Sequence, residues 1–242
     1  MKKVFVTVAN KKFLPYVKPL ESQMRKLGKW DGDFFTIQEN TEFIEDRSIP
    51  IHFYKMYLFH DYFKKYDWIF YCDLDVMVLD KVNLNLESRD KNFIYANHDE
   101  MTIGEQFEPS CPPDLKSISD LKAFQSCYLL FNRKLIEDNN FFEELKTQYE
   151  KYKDYTHRLN KDQGILNSVF KDCWKELGSE FVNRCPVLNE VDWDLDKLKD
   201  YFDDSDYVDS QLVHFFQFFP PWDKNNIRFN PIWEYHKKCE EI

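Results

Sequence analysis

Residues 68–79, with the sequence WIFYCDLDVMVL, constrain the fold of this chain more than any other stretch. The run is apolar, is interrupted by two carboxylates, and then becomes apolar again. This pattern is typical of a buried central strand that ends at a charged site. We therefore expect a sheet with a polar site at the end of one of its inner strands.

The two carboxylates of this stretch belong to Asp73 and Asp75. Side chains at positions i and i+2 of an extended chain point to the same side, so both can converge on one cation if the strand begins to turn there. Two buried carboxylates require a divalent metal or a shared proton, because unpaired buried charge is costly. The alternative is that they are strand-end carboxylates that cap the next turn.

The length and composition suit one large α/β domain and do not indicate a nucleic-acid-binding protein. Its 242 residues suit one large domain, and only 5 of them are glycine, so a glycine-rich phosphate loop is not expected. The net charge is −10, and no Lys/Arg block is dense enough for a nucleic-acid footprint. Nucleic acid is therefore excluded as the expected partner.

The cysteines and the N-terminus predict a cytosolic protein. The six cysteines are scattered without zinc-type spacing, so we expect reduced thiols. The apolar run after the first three residues is too short for a signal peptide. No run approaches the roughly 18 apolar residues of a transmembrane helix.

The first third of the chain alternates strand and helix patterns. Strands are predicted at residues 4–9 and 33–37, and helices at residues 16–27 and 51–66. The second helix, with an apolar face that includes Phe53 and Met56, leads into the strand before Asp73. This order favours a mainly parallel sheet with ligands at the carboxyl ends of its strands.

The rest of the chain contains further strands, a long loop and two helices. Strands are predicted at residues 93–97 and 126–131, and helices at residues 140–152 and 162–170. Three prolines between residues 98 and 122 predict an irregular binding loop or lid. The acidic residues between 190 and 209 predict a solvated face, and His214 opens an aromatic segment that ends at Trp222.

Five segments, in this order, resemble the retaining glycosyltransferases of family eight, the glycogenin and galactosyltransferase relatives with the GT-A fold. The segments are FVTVAN with Phe13, Lys55, Asp73-Leu74-Asp75, Asp162-Gln163-Gly164, and His214-Phe215 before Pro221-Trp222. The resemblance implies a single GT-A domain over residues 1–242, with a Rossmann-like nucleotide-binding half and a mixed, mainly parallel sheet flanked by helices. That half would span about residues 1–80, an acceptor half residues 81–222, and a tail residues 223–242.

The resemblance also implies the site residues. Asp73, Asp75 and His214 would bind Mn²⁺ or Mg²⁺, and Asp162 and Gln163 would hold the donor sugar at the catalytic centre. The nucleotide-sugar pocket would comprise Val8, Ala9, Asn10, Phe13, Lys55, Asp73, Leu74, Gln125 and Ser126. The implied partners are a UDP-sugar donor and a glycan or glycoprotein acceptor. A homodimer is a further expectation that does not come from the resemblance.

The sequence departs from this family pattern at the segment after His214. Pro220 stands where the family has a lysine that contacts the diphosphate, Gln217 replaces a glycine, and Cys127 replaces another glycine upstream. Lys224 or Lys161 would then have to supply the positive charge.

Two other functions are consistent with these residues. One is a protein of the same fold that binds nucleotide sugars or glycans without transferring them. The other is a phosphatase of the haloacid dehalogenase type, in which the first Asp of an Asp-x-Asp motif is the nucleophile. That motif normally follows the first strand, whereas a strand-helix-strand-helix order precedes Asp73 here.

Overall fold

The structure is a computed structural model of the whole chain. It describes residues 1–156, 161–178, 181–185, 211–215, 220, 222–224 and 230. The acidic stretch 190–209, Gln217 and Pro221 lie outside the described residues, as does most of the predicted tail 223–242.

A six-stranded sheet forms the centre of the first compact unit, which contains residues 1–10, 32–72 and 86–177. Its strands are β1 (Lys3–Val8), β2 (Asp33–Ile37), β3 (Trp68–Cys72), β5 (Ile94–Ala96), β8 (Tyr128–Asn132) and β9 (Trp174–Glu176). They lie in the order β2-β1-β3-β8-β5-β9. Three of the neighbouring pairs are parallel, and only the two pairs that include β8 are antiparallel. The predicted mixed, mainly parallel sheet is confirmed.

Strand alternation distributes the apolar residues over the two faces of this sheet. Val4, Val6, Ile69, Tyr71 and Leu129 contribute to one large core together with the helical segments of the same unit. Phe5 belongs to the opposite set of side chains and contacts the rings of Phe34 and Phe70, with centroid distances of 5.1 and 5.5 Å. Aromatic pairs of this kind fill the space that the few small residues leave.

A second, three-stranded sheet lies in the other compact unit, which contains residues 11–31, 73–85 and 178–242. Its strands are β4 (Val76–Val78), β10 (Val182–Cys185) and β11 (Leu212–Phe215), in the order β10-β11-β4. Helix α1 (Val17–Lys26) belongs to the same unit, and its Gln23 Oε1 accepts a hydrogen bond from the amide of Val78 at 3.1 Å. The division of the chain at about residue 80 stays a prediction.

The helical segments of the first unit match the sequence predictions except at residues 51–66. Helices α2 (Lys134–Glu137), α3 (Phe141–Tyr152) and α4 (Gln163–Phe170) are present, the last two as predicted. Residues 51–66 form two 3-10 helices instead, Ile51–Phe59 and Asp61–Lys65, separated by an extended His60. The prediction of one amphipathic helix was wrong because Phe53 through Phe59 are all buried, so this segment has no polar face.

The region between residues 98 and 122 is more ordered than the prediction of an irregular loop. Strands β6 (His98–Thr102) and β7 (Lys122–Phe124) pair and close the segment, and two short 3-10 helices, Gly104–Gln106 and Pro113–Ile118, lie between them. Ile103, Phe107 and Leu115 bury their side chains in the core of the unit. These apolar anchors have no periodic spacing, which is why the sequence pattern did not reveal them.

The described cysteine side chains, Cys72, Cys111, Cys127 and Cys173, are free thiols. Within the described ranges, no helix has the length and apolar character needed to cross a bilayer.

Candidate functional site

Asp73 and Asp75 lie where the chain bends between the end of β3 and the start of β4. The buried Leu74 separates them and leaves both carboxylates half-exposed. A bend allows the two side chains to converge, whereas a straight strand would only place them parallel. One ligand atom each from Asp73, Asp75 and His214 lies within 4.8 Å of the others.

His214 reaches this position because β11 pairs with the strand that begins immediately after Asp75. His214 lies opposite Val76 in the antiparallel pair, and the amide of Phe215 donates to the carbonyl of Asp75 at 2.8 Å. The imidazole is buried, and its Nε2 lies 3.3 Å from Oδ1 of Asp75. The backbone ladder therefore holds a histidine far along the chain next to the Asp-Leu-Asp bend.

Two carboxylates and one imidazole are a suitable ligand set for a divalent metal. Zinc sites favour sulfur or several histidines, and calcium takes oxygen ligands alone, so the mixed oxygen and nitrogen set fits Mn²⁺ better. A dication would also neutralise the two adjacent negative charges. The cluster is a candidate metal site in the second unit.

A buried polar network surrounds Asp162 in the first unit. Asp162 Oδ2 accepts from the Ser126 hydroxyl at 2.8 Å and lies 3.2 Å from the Lys55 ammonium, which also donates to Ser126 Oγ at 3.2 Å. Asp162 occupies the N-cap position of α4, but its side chain makes no capping hydrogen bond there. The carboxylate contacts Lys55 and Ser126 instead, because a contact with a cation is stronger than a hydrogen bond to a neutral amide.

Gln163 continues the network beyond Asp162. Its Oε1 accepts from the amide of Ser126 at 2.9 Å, and its Nε2 donates to Oδ2 of Asp99 at 2.5 Å. Gln106 Nε2 donates to the same oxygen of Asp99 at 3.2 Å. The sequence reasoning missed Asp99 and Gln106, although Asp99 follows β5 as closely as a carboxyl-end ligand should.

Gly164 lets the start of α4 approach the short 3-10 helix that carries Gln106. A Cβ atom at this position would lie 3.1 Å from the carbonyl oxygen of Gln106 and 3.1 Å from the ring of Phe107. The Asp-Gln-Gly sequence thus combines two polar side chains with a close backbone approach.

The remaining predicted nucleotide residues lie at strand ends and in an aromatic cluster. Val8 ends β1, Ala9 is buried and donates its amide to Ile37 at 3.0 Å, and Asn10 is half-buried. Gln125 is buried, and its Oε1 accepts from the hydroxyl of Tyr128 at 3.0 Å.

Phe13 lies in the second unit beside Tyr16 and Trp222. The Tyr16 and Trp222 rings are stacked, with a centroid distance of 4.1 Å and an interplanar angle of 9°. The centroid of the Phe13 ring lies 6.4 Å from the centroid of each of these two rings. The structure therefore brings together the aromatic residue after β1 and the tryptophan after His214, two positions that the sequence singled out separately.

The polar network affects the titration of His52, which precedes Lys55 by one 3-10 turn. The pKa of His52 is lowered to about 4, mainly because the imidazole is buried. The negative charge of Asp162 raises this pKa, while the positive charges of Lys161 and Lys55 lower it further. The imidazole is therefore neutral at physiological pH.

The segment that begins at Pro220 is partly described. The carbonyl of Pro220 accepts from the amide of Asp223 at 2.8 Å, and Lys224 follows this turn as an exposed residue. Lys161 is also exposed, next to Asp162 and with a positive φ of 21°.

Comparison with known proteins adds a family and a fold to this geometry. A family described as glycosyl transferase family 8 matches residues 4–226. The structure resembles the galactosyltransferase LgtC in complex with donor and acceptor sugar analogs, at 16% identity and a TM-score of 0.64, covering 98% of this chain and 95% of that chain. No curated protein matches by sequence.

Two further solved structures are similar at this level. The bifunctional glycosyltransferase WbbM aligns with a TM-score of 0.72 and 15% identity over 98% of this chain and 49% of that chain. The glycosyltransferase GlyE of Streptococcus pneumoniae TIGR4 aligns with a TM-score of 0.63 and 17% identity over 98% and 60%. At these identities the likeness concerns the fold.

Proposed function

The chain belongs to glycosyl transferase family 8 and is a glycosyltransferase, and from this premise we propose that it transfers a hexose or related sugar from a UDP-sugar to a glycan or glycoprotein hydroxyl. The proposed transfer depends on Mn²⁺ or Mg²⁺ and retains the configuration at the anomeric carbon. The observation that carries the proposal is the convergence of Asp73, Asp75 and His214 within 4.8 Å.

Asp73, Asp75 and His214 are the proposed ligands of the metal. A bound divalent cation would act as a Lewis acid on the departing diphosphate, where negative charge develops as the sugar–phosphate bond breaks. The two carboxylates would hold the cation, and the buried imidazole of His214 would supply a third ligand. The half-exposed carboxylates leave the site open to a diphosphate.

Phe13, Val8, Ala9 and Asn10 are proposed to bind the uridine, with the Phe13 ring as the surface on which uracil stacks. Leu74 would contact the ribose through its backbone, and Lys55, Gln125 and Ser126 would complete the nucleotide-sugar pocket. Asp162 and Gln163 are proposed to contact the donor sugar. Their oxygen atoms would favour positive charge at the anomeric carbon, which becomes oxocarbenium-like as the leaving group departs.

A non-catalytic nucleotide-sugar-binding protein is the second candidate, and Pro220 in place of the diphosphate lysine is the observation that favours it. The phosphatase alternative does not fit, because the glycosyltransferase family matches almost the whole chain. The cytosolic location and the homodimer stay predictions.

Release of UDP distinguishes transfer from binding alone. Purified protein with Mn²⁺ would be incubated with UDP-glucose, UDP-galactose, UDP-xylose or UDP-N-acetylglucosamine, with and without glycan acceptors, and with EDTA as the control. We expect metal-dependent UDP release from at least one donor. Metal-dependent binding of UDP without release from any donor would support the binding protein instead.

A further inference from the structure

We propose that Asp99 is a positioning residue that fixes which end of the Gln163 carboxamide is presented to the donor sugar. The inference rests on the proposed function, since it assumes that Gln163 contacts that sugar. All the residues that carry it are buried in the first unit.

Both ends of the Gln163 amide have defined partners. The backbone N–H of Ser126 can only donate, so the atom 2.9 Å from it must be the oxygen Oε1. The Asp99 carboxylate can only accept, so the atom 2.5 Å from Oδ2 must be the nitrogen Nε2. The two contacts select a single amide orientation, because a flipped amide would place donor against donor at Ser126 and acceptor against acceptor at Asp99.

This orientation determines what the sugar would encounter. An amide oxygen has two lone pairs, and the Ser126 amide uses one of them, so Oε1 keeps one for a substrate hydroxyl or for the electron-poor anomeric centre. A flipped amide would offer an NH₂ group there, which repels developing positive charge instead of stabilising it. Asp99 therefore acts on the reaction through Gln163.

Asp99 is itself held rigidly from both sides. Its Oδ1 accepts from the amide of Glu100 at 2.9 Å, and its Oδ2 accepts from Gln106 at 3.2 Å in addition to Gln163. Gln106 belongs to the segment between β6 and β7, so this segment and the start of α4 meet at one carboxylate oxygen. The segment supports the proposed sugar-binding end of α4 through this hydrogen bond.

An Asp99→Asn variant tests the proposal because asparagine has only one acceptor oxygen. If that oxygen serves the Glu100 amide, the new NH₂ group faces the NH₂ of Gln163 and the unique orientation is lost. We expect the rate of UDP release from UDP-glucose or UDP-galactose with Mn²⁺ to fall about tenfold or more, the effect of one charge-assisted hydrogen bond. The affinity for UDP, which lacks the donor hexose, should stay within about twofold of wild type when measured by calorimetry.

Two further variants make the outcome decisive. Asp90→Asn is the matched control, since Asp90 also accepts three hydrogen bonds, two from Asn92 and one from Lys175, but lies outside the network. This variant should change neither the rate of UDP release nor the affinity for UDP. Gln106→Met removes only the second hydrogen-bond donor to Asp99. It should lower the rate of UDP release less than Asp99→Asn does. If Asp99→Asn does not fold, Gln106→Met serves as the test in its place.

Three results would contradict the proposal or its premise. Wild-type UDP release by Asp99→Asn would overturn the positioning role. An equal loss of UDP release and UDP affinity in the folded variant would also overturn it, because that result indicates general damage. If Gln163→Ala releases UDP as fast as wild type, the role proposed for Gln163 fails. If Gln163→Ala releases UDP more slowly than wild type but Asp99→Asn does not, only the proposal for Asp99 fails.

Discussion

The imidazole of His214 lies 3.3 Å from the carboxylate of Asp75, although 138 residues separate them in the sequence numbering. The contact follows from strand pairing, because β11 runs antiparallel to the strand that starts at Val76. A histidine and a carboxylate held by a backbone ladder need little rearrangement to bind a cation together.

Removing one partner of the buried ion pair between Lys55 and Asp162 is expected to destabilise the protein strongly. Their side chains are only 9% and 10% exposed, so Lys55→Met would leave a buried carboxylate without its cation. We expect the free energy of unfolding to fall by about 3 to 5 kcal/mol, measured by urea denaturation. The double variant Lys55→Met/Asp162→Asn should recover much of this loss.

The control for that prediction is Lys64→Met. Lys64 pairs with Asp61 at 2.7 Å, but the two side chains are 36% and 76% exposed. Surface pairs of this type contribute at most about 1 kcal/mol. Equal losses in the two lysine variants would show that burial does not decide the strength of the Lys55 pair.

The pH dependence of stability should carry a contribution from His52. Burial lowers its pKa to about 4 in the folded protein, whereas an unfolded histidine titrates near about 6.5. Between these values the unfolded state binds more protons, so the free energy of unfolding rises with pH and the contribution is complete above about 6.5.

Urea denaturation at pH 5 and pH 7 checks this prediction. Wild type should lose more stability on going from pH 7 to pH 5 than His52→Gln, which has no titrating group at this position. The same pH dependence in both proteins would mean that His52 is protonated as easily in the folded state as in the unfolded state.

Lys224 is expected to supply the diphosphate charge that Pro220 lacks. It is exposed directly after the turn in which Asp223 donates to Pro220, and it belongs to the same unit as the proposed metal ligands. Lys224→Gln should weaken UDP binding in Mn²⁺ by about tenfold, which corresponds to about 1.4 kcal/mol, and should weaken UMP binding less. Lys161→Gln is the matched comparison, and a larger loss in that variant would assign the charge to Lys161.

The sequence predicted the features that depend on local pattern. The continuous apolar runs of β1 and β3 and the helical spacing in α3 were sufficient to place these elements. The resemblance singled out Asp73, Asp75 and His214, and the structure brings them together. Their role as metal ligands stays a proposal.

The features that the sequence did not predict depend on tertiary contacts. Residues 51–65 have helical apolar spacing, but the uninterrupted burial of Phe53 through Phe59 leaves no polar face, and 3-10 turns form instead of an amphipathic α-helix. Asp99 and Gln106 carry no motif, and their position behind Gln163 depends on the pairing of β6 with β7. Such contacts between distant segments have no periodic signature.

Calorimetric titration of UDP in the presence of Mn²⁺, with wild type and Asp75→Asn, tests the central claim most directly. Asp90→Asn, whose substituted carboxylate lies outside the candidate metal site, is the control for the change of one charge. We predict that wild type and the control bind UDP only when Mn²⁺ is present, and that Asp75→Asn loses this metal-dependent binding. Unchanged UDP affinity in Asp75→Asn would contradict the metal site formed by Asp73, Asp75 and His214.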